Sequence, residues 1–161
     1  MSEAAASELA SIEPAWVIEH LGSTSVPGLI AKPIIDLAVR LASPSDLDRH
    51  RPDLEARGWR LNPGGPASRT TFERSDDAGR RTHLAHFFRP ELWHDANQRI
   101  FRDWLRDHDD DRDLYARAKE AASAATDSGL EYTRLKTAAV QQIMDRARAA
   151  RGLLRVDVWE K

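Results

Sequence analysis

The stretch "IIDLAVRL" (34–41) constrains this chain most, because it is almost continuously apolar and too short for a buried helix. A surface strand alternates polar and apolar residues, and this run does not. It therefore predicts a central strand covered on both faces, broken only by Asp36 and Arg40. Upstream, "AWVIEHLG" (15–22) predicts another strand, ended by a glycine turn. Between the two lies "STSVPGLIAKP", a connection rich in serine, proline and glycine, with room for one helical turn.

Downstream, "SPSDLDRHRPDLEARG" (43–58) starts with Ser and Asp and stops at Gly, which predicts a helix bent or interrupted at Pro52. "WRLN" is a short strand candidate before the loop "PGGPAS". "RTTFERS" and "RRTHLAHFF" flank "DDAG" and predict a hairpin. From about residue 91 the period becomes helical, with Trp93, Ile100, Phe101, Trp104 and Leu105 first, and Gly129 and Gly152 as later breaks. The fold class that follows is α+β, a small mixed sheet with flanking helices and a helical C-terminal half. Its expected organisation is residues 1–14 as a short helix or leader, 15–150 as one domain, and 151–161 as a tail. That tail reads equally as a last strand or an interaction segment.

Composition narrows the function classes. A net charge of −2 and a pI near 6.3 disfavour long nucleic acids and membrane surfaces, which call for a basic excess. With no cysteine, disulfides and thiolate metal sites are excluded. No apolar run approaches the ~18 residues of a membrane span, and the acidic start "MSEAAASELASIEP" is unlike a signal peptide. The expectation is a cytoplasmic protein. Four of the 24 basic residues are lysines, Lys32, Lys119, Lys136 and Lys161. Such scarcity draws attention to places where a compact ammonium suits better than a guanidinium fork.

A strand ending in Gly22-Ser23 exposes backbone N–H groups at the turn, and Ser23, Thr24 and Ser25 add hydroxyls. Such a turn can cradle phosphate oxygens, and Asp36 on the next strand can hold a divalent metal against them. The same residues also suit a tight turn with Ser and Thr capping a short helix. Residue types alone leave both readings open.

The full stretch "EHLGSTSVPGLIAKPIIDLAV" (19–39) closely resembles the signature of the GrpB family, which is placed in the polymerase-beta-like nucleotidyltransferase superfamily. "FRDWLR", "LYARAK" and "EYTRLK" are similar to that family's later pattern, and the resemblance spans roughly residues 16–147. It implies a Gly-Ser turn followed by a strand aspartate, a nucleoside triphosphate ligand and a Mg ion. Relatives also occur fused to dephospho-CoA kinase, which has suggested a folding accessory role.

The superfamily usually carries Asp-x-Asp on the strand, so that alternation turns two carboxylates to one face, where they share metal ions. Here the same-face neighbours of Asp36 are Ile34 and Ala38. Glu19 and Glu73 are the candidates to complete a metal site with Asp36, and Asp36 and Glu73 the candidates for catalysis. The resemblance favours His20 and His83 as site residues, although alternation turns His20 away from Glu19. His83 and His86 are three apart and cannot chelate one ion from a regular strand. His86 reads as a surface or half-buried imidazole. Tyr115 and Lys119, and Tyr132 and Lys136, are four apart and share helical faces. Lys32, Lys119 and Lys136 are candidates to neutralise phosphates, or else lysines beside core tyrosines. Arg102 with Asp103 predicts a structural salt bridge, and Asp109–Asp111 a solvated helix start.

The function these features suggest is binding of a nucleotide with Mg and transfer of a nucleotidyl group to a small or protein acceptor. The alternative is a nucleotide-binding or partner-binding module that has lost catalysis. The acceptor and the oligomeric state are not legible in the sequence.

Overall fold

The computed structural model describes residues 2–64 and 68–158. The middle of the "PGGPAS" loop and residues 159–161 of the tail lie outside the described residues. Two compact units divide the chain. The first contains residues up to Ser25 and Ala31–Ala96, and the second contains Val26–Ile30 and the residues from Asn97 on.

The first unit is built on a five-stranded mixed sheet. Its elements are α1 (Ser2–Ile12), β1 (Val17–Leu21), β2 (Ile35–Arg40), α2 (Asp46–Ala56), β3 (Arg60–Asn62), β4 (Thr70–Ser75) and β5 (Arg81–Phe88). The strand order is β1-β2-β5-β4-β3. β2 runs parallel to β5, and every other neighbouring pair is antiparallel. The continuous apolar run thus becomes a strand bonded on both sides. The hairpin expected around "DDAG" is β4–β5.

Alternation gives the sheet two unlike faces. Ile35, Leu37 and Val39 of β2 join Ala85 and Phe87 of β5 and Phe72 of β4 in the main core, with Ala5 and Leu9 of α1, Leu54 of α2, and Trp59. Leu9, Leu37, Leu54 and Trp59 are fully buried, and each such side chain contributes about 2 kcal/mol by leaving water. A polar clasp holds α1 to this face. Glu8 accepts from the Trp59 indole at 3.0 Å and pairs with Arg74, whose guanidinium lies 4.4 Å from the Trp59 ring centre. The segment read as a short helix or leader is therefore a helix in the core.

α2 runs through Pro52 without the interruption the sequence allowed for. Its start is organised by the buried Asp46 carboxylate, which accepts from the Ala42 and Ser43 amides at 2.9 and 2.8 Å.

The second unit contains α3 (Asn97–Asp107), α4 (Asp109–Ala125) and α5 (Gly129–Ala150). Leu105 of α3, Tyr115 of α4 and Ile143 of α5 pack with Val26 and Leu29. Ser128 caps α5 by accepting from the Glu131 amide, and Arg102 pairs with Asp103 at 2.6 Å. Asp111 differs from the expected solvated helix start. It is buried, accepts from the Trp104 indole at 2.6 Å and pairs with Arg146. The tail forms no strand among the described residues. Its described part lies against α5, where Gln141 donates to Val156 O at 2.8 Å and accepts from Val158 N at 2.9 Å.

Candidate functional site

β1 ends at Leu21, which sits opposite Asp36 on β2. The next residue, Gly22, has φ +67°, and the chain turns there into a short 3-10 helix, Ser23–Ser25. A side chain at position 22 would be strained by that φ. Its Cβ would also lie 2.9 Å from Asp36 Cγ and 3.0 Å from Asp36 Cβ, and would overlap Oδ2. The Gly-Ser turn and the strand aspartate are thus in direct contact, and only glycine permits the approach.

The turn is braced from inside. Ser25 is buried, and both its amide and its hydroxyl donate to Gly22 O, at 3.1 and 2.7 Å. Thr24 Oγ1 lies 2.8 Å from His20 Nε2 and donates to Ile34 O at 3.4 Å. Ser25, Thr24 and His20 therefore hold the turn to the strands on either side, the two hydroxyls donating to carbonyl oxygens rather than capping helix N–H groups. Gly22 and Ser23 form the edge of the turn nearest Asp36.

The sheet register decides which residues share the Asp36 face. Residues paired across strands point the same way. Glu19 and Leu21 of β1, Leu84 and His86 of β5, Thr71 and Glu73 of β4, and Asn62 of β3 lie on that face. Part of it is sealed by Leu21, Ala38, Phe88, Trp93 and Ala96. Asp36 keeps about a quarter of its side chain exposed.

His86 is a residue the sequence reading passed over. Its Nε2 lies 3.4 Å from Asp36 Oδ1, and its Nδ1 lies 3.2 Å from both Arg69 Nε and Thr71 Oγ1. Burial pushes the imidazole pKa down; Asp36 opposes this, and the Arg69 charge adds to it. Burial thus favours the neutral form of the ring. In the sequence His86 is only one of two histidines on a strand. The signal that singles it out is register, since Ala38, two residues from Asp36 on the same face, pairs with it.

His83 is corrected by the same register. It pairs with Ile35 and Arg74 on the core face, away from Asp36. Its ring meets Trp59 edge-on at 6.1 Å, and Thr82 Oγ1 lies 2.9 Å from Nδ1. The alternation that rules out joint chelation also decides that only one of the two histidines reaches the aspartate.

The three-carboxylate site is corrected as well. Glu19 is a diagonal neighbour of Asp36, since it pairs with Ala38 while Asp36 pairs with Leu21. Glu73 is two strands away, about 10 Å, with Leu84 of β5 between them. Glu73 Oε2 is also engaged by Arg81 at 2.7 Å and by the Asn62 amide at 3.0 Å. Among the described residues, no three His, Asp or Glu side chains gather as a metal-binding group.

Lys32 is exposed on the connection before β2. Lys119 and Lys136 belong to the helical unit. There Lys119 Nζ donates to Ile30 O at 2.6 Å, and both ammonium groups approach the Tyr115 ring, at 5.5 and 5.8 Å from its centre. Lys136 also lies 4.7 Å from the Tyr132 ring centre.

A strand–glycine turn–strand aspartate unit of this form can be compared with known proteins over nearly the whole chain. The family model described as "GrpB protein" matches residues 2–146. The chain belongs to the GrpB family. A UPF0157 protein of Pseudomonas aeruginosa is 39% identical over 153 residues, covering 92% of this chain and 62% of that protein. This chain therefore spans less than two thirds of that relative's length. A UPF0157 protein of Halalkalibacterium halodurans is 40% identical over 134 residues, covering 82% of this chain and 67% of the relative. Among solved structures, the conserved protein GrpB from Enterococcus faecalis superposes with a TM-score of 0.79 at 29% identity, covering 90% of this chain and 88% of that one.

The Mg ion that the resemblance implies can be tested against the donors present. Mg takes oxygen ligands and is commonly held by one or two carboxylates plus substrate phosphates. Asp36 supplies one carboxylate, about a quarter exposed, beside a glycine turn, which suits an ion arriving with a polyphosphate. It does not suit a resident pair of ions, for which a second convergent carboxylate is needed. No helix among the described residues is long and apolar enough to cross a membrane.

Proposed function

We propose that this GrpB-family protein has the nucleotidyltransferase type of sheet and binds a nucleoside triphosphate with Mg at the Gly22–Asp36 corner. The observation that carries this reading is the packing of the Asp36 carboxylate directly against Gly22. A phosphate approaching the turn meets the side-chain-free backbone of Gly22 beside the partly exposed Asp36 carboxylate. Asp36 would hold the Mg ion, which neutralises phosphate charge and polarises the phosphoryl oxygens. Glu19, the diagonal neighbour, can accept from water around that ion. Lys32 would add positive charge from the exposed connection before β2. Nucleotidyl transfer to a small or protein acceptor extends this reading and requires the nucleotide to bind first.

A second reading, binding without turnover, is favoured by one observation. Among the described residues no three His, Asp or Glu side chains gather at Asp36, and Glu73 is held by Arg81 and Asn62. A nucleotide-sensing or partner-binding module needs the turn and one carboxylate but not the pair.

Calorimetric titration with the four nucleoside triphosphates, with and without Mg and with Asp36→Asn, tests both. Mg-dependent binding lost in the variant supports the site, and release of pyrophosphate with a labelled acceptor then separates transfer from sensing. Failure of all four nucleotides to bind would make the turn a scaffold and overturn the proposal.

A further inference from the structure

The polar face of the sheet holds the imidazole of His86 between Asp36 on one side and Arg69 and Thr71 on the other. Arg69 can only donate, and its Nε points to His86 Nδ1 at 3.2 Å. Nδ1 must therefore accept, and the ring proton sits on Nε2. That N–H is the group facing Asp36 Oδ1 at 3.4 Å, while Asp36 Oδ2 abuts Gly22. Thr71 Oγ1 is also 3.2 Å from Nδ1, so two neighbours hold the ring on that side. The side chain is 12% exposed, so water competes little for either nitrogen.

We propose that His86 is the positioning residue of the site, an Nε2–H donor aimed by Arg69 and Thr71 that holds Asp36 Oδ1 and leaves Oδ2 beside the glycine turn for the incoming cation and phosphate. This proposal rests on the nucleotide reading for its ligand, but its hydrogen-bond claim stands on the ligand-free protein. The arrangement accounts for how one carboxylate is kept in a single orientation when the usual second carboxylate is missing. An unconstrained aspartate would spread its two oxygens over several rotamers and lose affinity for an ion that needs one of them in a defined place.

Two measurements test it. Nitrogen NMR of the ligand-free protein with labelled histidine should show His86 as a single tautomer protonated at Nε2, and Arg69→Ala should release it into a mixture. A His86 protonated at Nδ1, or a tautomer balance unmoved by Arg69→Ala, overturns the proposal. Titration with Mg and the best-binding nucleotide should then weaken about tenfold in His86→Leu. It should recover in His86→Gln, whose amide can donate in place of Nε2. Equal affinity in His86→Leu, or equal loss in His86→Gln when both variants unfold at the wild-type temperature, also overturns it. If wild-type protein binds no nucleotide, the functional reading fails by itself, and the tautomer measurement still decides the role of His86.

Discussion

The two faces of the sheet are made from the same strands, yet they carry opposite chemistry. On one, Ile35, Leu37, Val39, Ala85 and Phe87 pack under α1 and α2. On the other, one residue along each strand, lie Glu19, Asp36, His86, Thr71 and Glu73. The first face stabilises the unit by excluding water. The second spends part of its area on groups that prefer water, with His86 bonded to Asp36 and Thr71, and Glu73 held by Arg81 and Asn62. Stability and chemistry are thereby separated by a single step of strand alternation. A substitution on one face should disturb one property and largely spare the other.

The largest effect expected is on the core face. Phe87→Ala should lower unfolding free energy by about 4 kcal/mol in urea titration, as for other buried aromatic truncations. A loss under 1 kcal/mol would mean that the apolar face is not what holds the unit together. Gly22→Ala tests the corner where the two properties meet. The positive φ and the overlap with Asp36 predict a loss of about 3 kcal/mol together with displacement of the carboxylate. Full retention of stability would show that the turn can move away from Asp36.

Asp36→Asn should sharpen the contrast. It leaves shape and burial unchanged and weakens one long hydrogen bond, so stability should change by less than about 1 kcal/mol while Mg-dependent nucleotide binding disappears. A large drop in melting temperature would make Asp36 a structural residue.

The smallest effect concerns His83 on the core face. Burial lowers its pKa from the ordinary value near 6.5, the Arg74 charge lowers it further, and Glu8 partly opposes them. The folded protein thus takes up its proton less readily than the unfolded chain. The associated stability is present above about pH 6.5 and declines as pH falls toward the lower folded value. Melting temperature should fall over that interval, and His83→Gln should flatten the slope. An unchanged slope in the variant would assign the pH dependence to other groups.

Much of the fold was legible because it depends on local pattern. The apolar run of β2, the glycine that ends β1, the turn around "DDAG" and the helical period after residue 91 each act within a few residues. Two local readings failed for physical reasons. Pro52 does not interrupt α2, and Asp111 at the start of α4 is buried against Trp104 and Arg146, distant in sequence from the latter. The site was legible by half. Gly22 and Asp36 were singled out as residues, and the structure brings them into contact. His83 faces the core and His86 faces Asp36, and Glu73 lies two strands from Asp36, held by Arg81 and Asn62.

By itself, the sequence determined that a sheet with a central strand comes first, that helices follow, and that a small-residue turn precedes a lone strand aspartate. It did so because strand and helix periods are properties of consecutive side chains. Only the tertiary structure decided which strand lies beside β2 and in which register. The parallel pairing of β2 with β5 brings together residues some 50 positions apart, and shifting it by one residue would have turned His83 rather than His86 toward Asp36. That choice is made by the packing of the whole apolar face, which no short stretch of chain records.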